Sequence, residues 1–257
     1  MTVNIAGCGN RLKTGDAKRI MGGEDATPLE FPWQVAVLRN GQQTCGASVL
    51  SDEWVISAAR CFEDSSSSYA LLFGRHDLNK PEPSQESRLL QKDEIIRHEN
   101  FDFHRNFDYD VALIRLSEPL RFDNPNVKPV CLPTAGEDFT KVLCTASGWG
   151  IMAPDGPPPA VLQKVDVPVW KEEECKTALF PAITNTMMCA GYENGGKDIC
   201  NGDFGGPLIC PRNHNNETWV LAGISSWSNG CGEPHTPGVY TRVTAVLRWI
   251  KDKMGQL

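Results

Sequence analysis

Trp219-Val-Leu-Ala-Gly-Ile-Ser225 is a short, almost wholly apolar run rich in strand-forming residues, and it is not isolated. Trp33-Gln-Val-Ala-Val-Leu38, Trp54-Val-Ile-Ser57, Val111-Ala-Leu-Ile-Arg-Leu116 and Val161-Leu-Gln-Lys-Val-Asp-Val167 have the same character, with Gly and Pro turn residues between them. Runs of this length between turn signals read as strands, and a succession of them predicts an all-β barrel or sandwich. Helical spacing is convincing only at the tail, where Val243, Val246, Leu247, Ile250 and Met254 share a face and Thr244 is placed to cap the first turn. That apolar face should dock on the body.

The chain has 257 residues, enough for one large or two small hydrophobic cores. Its net charge of −7 and pI near 5.3 argue against a nucleic-acid binder, which carries a basic domain or stripe. Basic residues cluster only at Arg11, Lys13, Lys18 and Arg19. No apolar run approaches the roughly 18 residues of a membrane span, so no membrane insertion is expected. Ten cysteines without metal-ligand spacing read as five disulfides, which places the protein in an oxidising, extracellular compartment. The opening Met1-Thr-Val-Asn-Ile-Ala-Gly7 has neither the basic nor the apolar region of a signal peptide, so the sequence reads as a fragment of a secreted precursor. Asn216-Glu-Thr218 is a glycosylation sequon that fits secretion. Residues 1–19 are polar, lack a period and end in Lys18-Arg19, the pattern of a pro-segment or linker.

Five segments, taken in order, are more specific than any single run: Arg19-Ile-Met-Gly-Gly23, Ser57-Ala-Ala-Arg-Cys61, Asp110-Val-Ala-Leu-Ile114, Gly202-Asp-Phe-Gly-Gly-Pro207, and Ser226-Trp227 followed by Pro237-Gly-Val-Tyr240. Together they resemble the chymotrypsin–trypsin family of serine proteases, and the resemblance runs from about Cys8 to the C-terminal helix. It implies a domain over 20–257 built of two antiparallel β-barrels, about 20–130 and 131–242, with the helix lying against the second. It also implies the bridges Cys8–Cys131, Cys45–Cys61, Cys144–Cys210, Cys175–Cys189 and Cys200–Cys231, the first tethering the pro-segment. Spacing alone leaves on the order of a thousand pairings of ten cysteines open.

Acyl transfer in this family needs a hydroxyl nucleophile, an imidazole near neutral pKa and a carboxylate that orients the imidazole. Asp110 matches the carboxylate. Arg60 stands where the Ala-Ala-His-Cys motif has His, and Phe204 where Gly-Asp-Ser-Gly-Gly has Ser. A guanidinium with pKa above about 12 is no general base, and a phenyl ring no nucleophile. Phe204 should project into the space of a scissile carbonyl, and the Arg60 guanidinium should satisfy a buried Asp110 carboxylate. His76, His98, His104, His214 and His235 lie outside the matched triad segments and read as structural or surface residues, while Ser225 and Ser226 read as backbone-positioning residues.

By the same resemblance Asp198 floors a specificity pocket walled by Ser226, Trp227 and Ser228, with Gly238 retained and Ser228 narrowing the entrance where the family usually has Gly. Gly202 and Asp203 belong to the oxyanion loop, which orders when cleavage between Arg19 and Ile20 frees an amine to pair with Asp203. Arg75 takes the place of a carboxylate ligand in calcium-binding relatives and should pair with Glu86, so neither a metal nor another cofactor is expected. The functional expectation is a secreted, inactive serine protease homologue that binds or regulates an extracellular protein partner, whether receptor, protease or inhibitor, in a proteolytic, defence or growth-factor-like pathway. Residual or unconventional hydrolysis and an inhibitor-binding decoy are the alternatives.

Overall fold

The computed structural model of the chain describes residues 7–11, 23–82, 85–104, 106–151, 156–196, 202–212, 218–230 and 232–255. The first half holds β1 (Glu24–Asp25), β2 (Gln34–Arg39), β3 (Gln42–Val49), β4 (Trp54–Ser57), β5 (Tyr69–Phe73), β6 (Glu86–Leu89), β7 (Ile95–Arg97) and β8 (Ala112–Arg115). The second half holds β9 (Leu143–Gly148), β10 (Gln163–Pro168), α1 (Glu172–Ala178), β11 (Met187–Ala190), β12 (Pro207–Pro211), β13 (Trp219–Trp227), β14 (Gly238–Arg242) and α2 (Val243–Lys253). The strands form two seven-stranded antiparallel sheets, ordered β6-β5-β2-β3-β4-β8-β7 and β1-β10-β9-β12-β13-β14-β11. An extra bridge between Val169 and Ala190 joins the end of β10 to β11 and curls the second sheet on itself. This is the all-β, double-barrel architecture that the motifs imply.

Each sheet reflects its residues. In β5 the side chains of Tyr69, Leu71 and Phe73 turn inward and their neighbours do not, the period of two that a strand imposes. β13 is buried along its whole length, which is why it reads as a continuous apolar run rather than an alternating one. β1 departs from the expected division near residue 130: it pairs with β10 of the second sheet, Glu24 opposite Lys164. The chain therefore starts on the second barrel before it builds the first.

The tail helix forms as its spacing predicts, with Val243, Val246, Leu247 and Ile250 buried. Its N-cap is Arg242, not Thr244, and no side chain caps it, because β14 runs directly into the first turn. The helix also reaches the first barrel: Trp249 packs at a tilt against His98 and donates from Nε1 to Glu99 at 2.7 Å, while Lys253 pairs with Glu99. α1 has no apolar period to announce it; Glu174 accepts the Lys171 N–H at its start and Cys175 anchors it through the Cys175–Cys189 bridge. Cys8–Cys131, Cys45–Cys61 and Cys144–Cys210 are also formed as implied, and Cys200–Cys231 lies outside the described residues.

Candidate functional site

The two sheets meet where Gly205 and Gly206 approach Gly46. Gly205 has φ +81°, and a Cβ there would lie 2.2 Å from Ser57 Oγ and 2.4 Å from the Gly46 carbonyl, so only glycine fits. On either side stand the three residues that the resemblance places at the triad positions. Arg60 lies on the 3₁₀ turn Ala59–Phe62 that follows β4 and is fastened to β3 by Cys45–Cys61. Asp110 lies two residues before β8, and Phe204 sits in the turn before β12.

Asp110 is fully buried. Its Oδ1 accepts the Arg60 backbone N–H at 2.9 Å, its Oδ2 accepts the Ser226 hydroxyl at 2.7 Å, and its carbonyl accepts Thr241 Oγ1 at 2.7 Å. Burial pushes its carboxyl up to about 7, and the Arg60 N–H, the Ser226 hydroxyl and the Arg60 charge offset only part of that rise.

Arg60 corrects an expectation. Its backbone, not its guanidinium, satisfies Asp110. The guanidinium lies between two rings, 4.1 Å from the centroid of Phe107 and 4.2 Å from that of Phe204, and Nη1 donates to the Ser226 carbonyl at 2.5 Å. The turn already brings the Arg60 N–H to the carboxylate, so the long side chain extends past it into the cleft, where flat π-faces suit a planar, weakly hydrated cation. Burial lowers the Arg60 pKa, countered by the charges of Asp110 and Glu63. Phe204 thus packs on Arg60, and the exposed Phe103 meets Phe107 edge-on at 5.0 Å.

Phe107 escaped the sequence reading because it lies outside every matched segment. It adopts φ +61°, uncommon for a bulky residue, between Asn106 at +53° and Asp108; Tyr109 follows at +54°. The Asp108 carboxylate fixes this loop by accepting from the hydroxyls of Thr184 at 2.8 Å and Thr186. The one available signal is an aromatic residue three places before the triad carboxylate.

The Ser226 hydroxyl donates to Asp110, a side-chain contact that its reading as a backbone-positioning residue does not include, and Ser225 exchanges backbone hydrogen bonds with Gly205 and Gly206 while its hydroxyl has no partner among the described residues. Trp227 is buried, Ser228 half-buried, and Gly238 opens β14 beside them. Asp203 Oδ1 accepts the Gly150 N–H at 2.7 Å, and Gly202, at φ +101°, gives its carbonyl to Gln43 Nε2 at 2.9 Å. Asp198, Arg19, Ile20, Asn216 and His214 lie outside the described residues. His98 stacks on Tyr109 at 4.5 Å and meets the tilted ring of Trp249 at 4.8 Å, a structural place; His104 and His235 are exposed and His76 is half-buried.

Arg75 does not pair with Glu86, which binds Arg88 at 2.9 Å instead. Its guanidinium donates to the carbonyls of Leu78 at 2.6 Å and Asp77 at 3.2 Å and to the Gln85 side chain. The β5–β6 loop therefore wraps an internal cation, its oxygens turned to the guanidinium.

Asp110 also yields a prediction. Its folded pKa near 7 exceeds the ordinary value near 3.9, so the folded state holds a proton that the unfolded state has lost, and stability falls as pH rises between those values. Asp110→Asn keeps the acceptor for the Arg60 N–H and removes the charge. The melting temperature of the variant relative to the parent should rise between pH 5 and pH 8, by several degrees at about 2–4 °C per kcal/mol. Calorimetry across that range checks it, and a constant difference would count against the shift.

Residues 20–250 match the family described as Trypsin. Ovochymase-2 of Mus musculus is 36% identical over 249 residues, covering 90% of this chain and 40% of that protein. Transmembrane protease serine 9 of Rattus norvegicus is 41% identical over 239 residues, covering 92% of this chain and 22% of that protein. The chain thus spans less than half the length of either relative. With two antiparallel barrels meeting at Gly205, a buried Asp110 tied to Ser226, and a match over nearly its whole length, this chain belongs to the trypsin family.

Proposed function

We propose that the chain is a catalytically inactive trypsin-family homologue that works through its surface, as an extracellular module binding or regulating a protein partner such as a receptor, a protease or an inhibitor. One observation carries this reading: the Arg60 guanidinium, stacked between Phe107 and Phe204, fills the space in front of Asp110 where a proton acceptor and a substrate have to meet. Neither residue can stand in chemically, since a guanidinium stays protonated and a phenyl ring has no lone pair to offer. The Ser226 hydroxyl beside Asp110 is in a residue 1% exposed and already donates to that carboxylate, which leaves it no room as a nucleophile. Among the described residues four disulfides support an oxidising compartment, and no helix is long and apolar enough to cross a membrane. On this reading cleavage between Arg19 and Ile20 changes the surface and not the chemistry, with Asp203 as the partner of the freed amine. The filled cleft disfavours the decoy reading, because the substrate-like loop of an inhibitor needs the same space.

The test is limited tryptic digestion with the new N-terminus read by mass spectrometry, followed by chromogenic Arg and Lys esters. No turnover is expected before or after cleavage. Turnover that follows the protein through purification and disappears with Asp198→Ala would overturn the proposal.

A further inference from the structure

We propose that the body carries a guanidinium socket whose resident ligand is the leader's own Arg11, and that the socket withholds Arg11 from trypsin-like proteases. Processing of the basic cluster is then confined to Lys13, Lys18 and Arg19. That last consequence rests on the cleavage reading above; the socket does not.

The leader reads as a featureless linker, yet residues 7–11 are built into the body. Cys8 is bonded to Cys131. Gly9 donates to the Pro129 carbonyl at 2.9 Å and accepts from the Trp219 N–H at 3.0 Å, at φ +70° and so close that a Cβ would lie 2.3 Å from the Trp219 carbonyl. Two residues on, the Arg11 guanidinium uses all three nitrogens: Nε and Nη2 donate to Glu30 Oε1 at 3.1 and 2.5 Å, and Nη1 donates to Thr145 Oγ1 at 3.1 Å. The rings of Phe31 and Trp219 each lie 4.7 Å from its central carbon. The side chain of Arg11 is 15% exposed and that of Glu30 3%.

The receiving carboxylate is itself held. Lys164 Nζ donates to Glu30 Oε1 and Oε2 at 2.8 and 3.0 Å, and Thr27 donates to Oε2 from its N–H at 2.9 Å and its hydroxyl at 3.0 Å. Burial works against the Glu30 charge, and Lys164, Thr27 and Arg11 more than offset it, so its pKa stays below the ordinary range. A fixed anion with a hydroxyl and two aromatic faces matches a flat fork of donors and not a point-charged ammonium, so the site selects arginine over lysine.

A trypsin-like enzyme cleaves after Arg11 only once that side chain has entered the enzyme's own pocket, which requires it to leave this socket. Cleavage then follows the small population of locally opened chain.

The native chain is digested with trypsin and the Arg11–Leu12 cut is timed by mass spectrometry, beside the same bond in reduced, alkylated, unfolded chain and in folded Arg11→Lys. The bond should be cut at least about 30-fold more slowly in the native chain than in the unfolded one, and the Arg11→Lys bond at least about tenfold faster than the parental bond in the folded state. The lysine variant keeps the disulfide and the Gly9 clasp, so it isolates the guanidinium. Equal rates in native and unfolded chain, or no acceleration in Arg11→Lys, would overturn the socket. Failure to cut after Arg19 while Arg11 stays protected would instead overturn the cleavage reading alone.

Discussion

If Arg60 and Phe204 fill the triad positions as proposed, Arg60→His together with Phe204→Ser is expected to raise hydrolysis of Arg and Lys esters at least about 10³-fold, while either substitution alone stays within a few-fold of the parent. Members of such a triad act as a unit: removing one costs about as much as removing all, on the order of 10⁶ in turnover, so replacing one of two missing groups recovers almost nothing. Geometry favours the pair. The turn carrying residue 60 is already locked by Cys45–Cys61 and by the bond from its N–H to Asp110, and the Asp110 carboxylate keeps the Ser226 contact. The double substitution also removes both the guanidinium and one of the two rings that enclose it, leaving Phe107. Ester assays on freshly folded protein, with melting temperatures to show that the fold is kept, decide the matter. A folded but silent double variant would mean that the cleft is closed elsewhere, with the Ser228 wall as the first place to look.

Glu30→Ala is expected to cause the largest loss of stability of any single substitution named above, about 3–5 kcal/mol and a fall of roughly 10 °C in melting temperature. The reason is what it leaves behind. Lys164, 8% exposed, loses both its contacts to Glu30 and keeps only the longer one to Glu24 at 3.4 Å, while Arg11 loses two of its three polar contacts. A buried cation without its anion costs far more than the pair contributes in net terms. The pH dependence has the opposite sign to that of Asp110. A carboxylate whose folded pKa is lowered contributes stability that is present above its unfolded value and is lost as pH falls through the folded one. The gap between parent and Glu30→Gln should therefore narrow below about pH 4. Thermal melts by circular dichroism at pH 3 and pH 7 test both statements; a change under 1–2 °C at pH 7 would remove Glu30 from the central place given to it here.

Much of this protein is legible in its residue types. The strand runs, the turn residues between them and the apolar stripe of the tail depend on local periodicity, and they appear as β2, β4, β8, β10, β13 and α2. That Arg60 and Phe204 stand where the resemblance implies an imidazole and a hydroxyl is likewise a matter of identity at a matched position, and the proposed loss of activity starts from it. α1 was not legible because a seven-residue helix buried only through Cys175 has no apolar face to repeat.

Other features exist only once distant segments meet. Sequence chemistry says that a guanidinium near a buried carboxylate will pair with it; the fold delivers the backbone N–H of residue 60 to Asp110 first and leaves the guanidinium to two rings, one from a loop held by Asp108 and Thr184. The Arg11 socket draws on Phe31, Glu30, Thr145 and Trp219, residues up to 208 positions from their ligand, and no local pattern in a polar leader points to them. Residue identity determines which interactions are possible. Tertiary structure decides which partners lie within reach, and it is that placement which leaves the Arg60 guanidinium on the rings of Phe107 and Phe204 and sets Arg11 against Glu30.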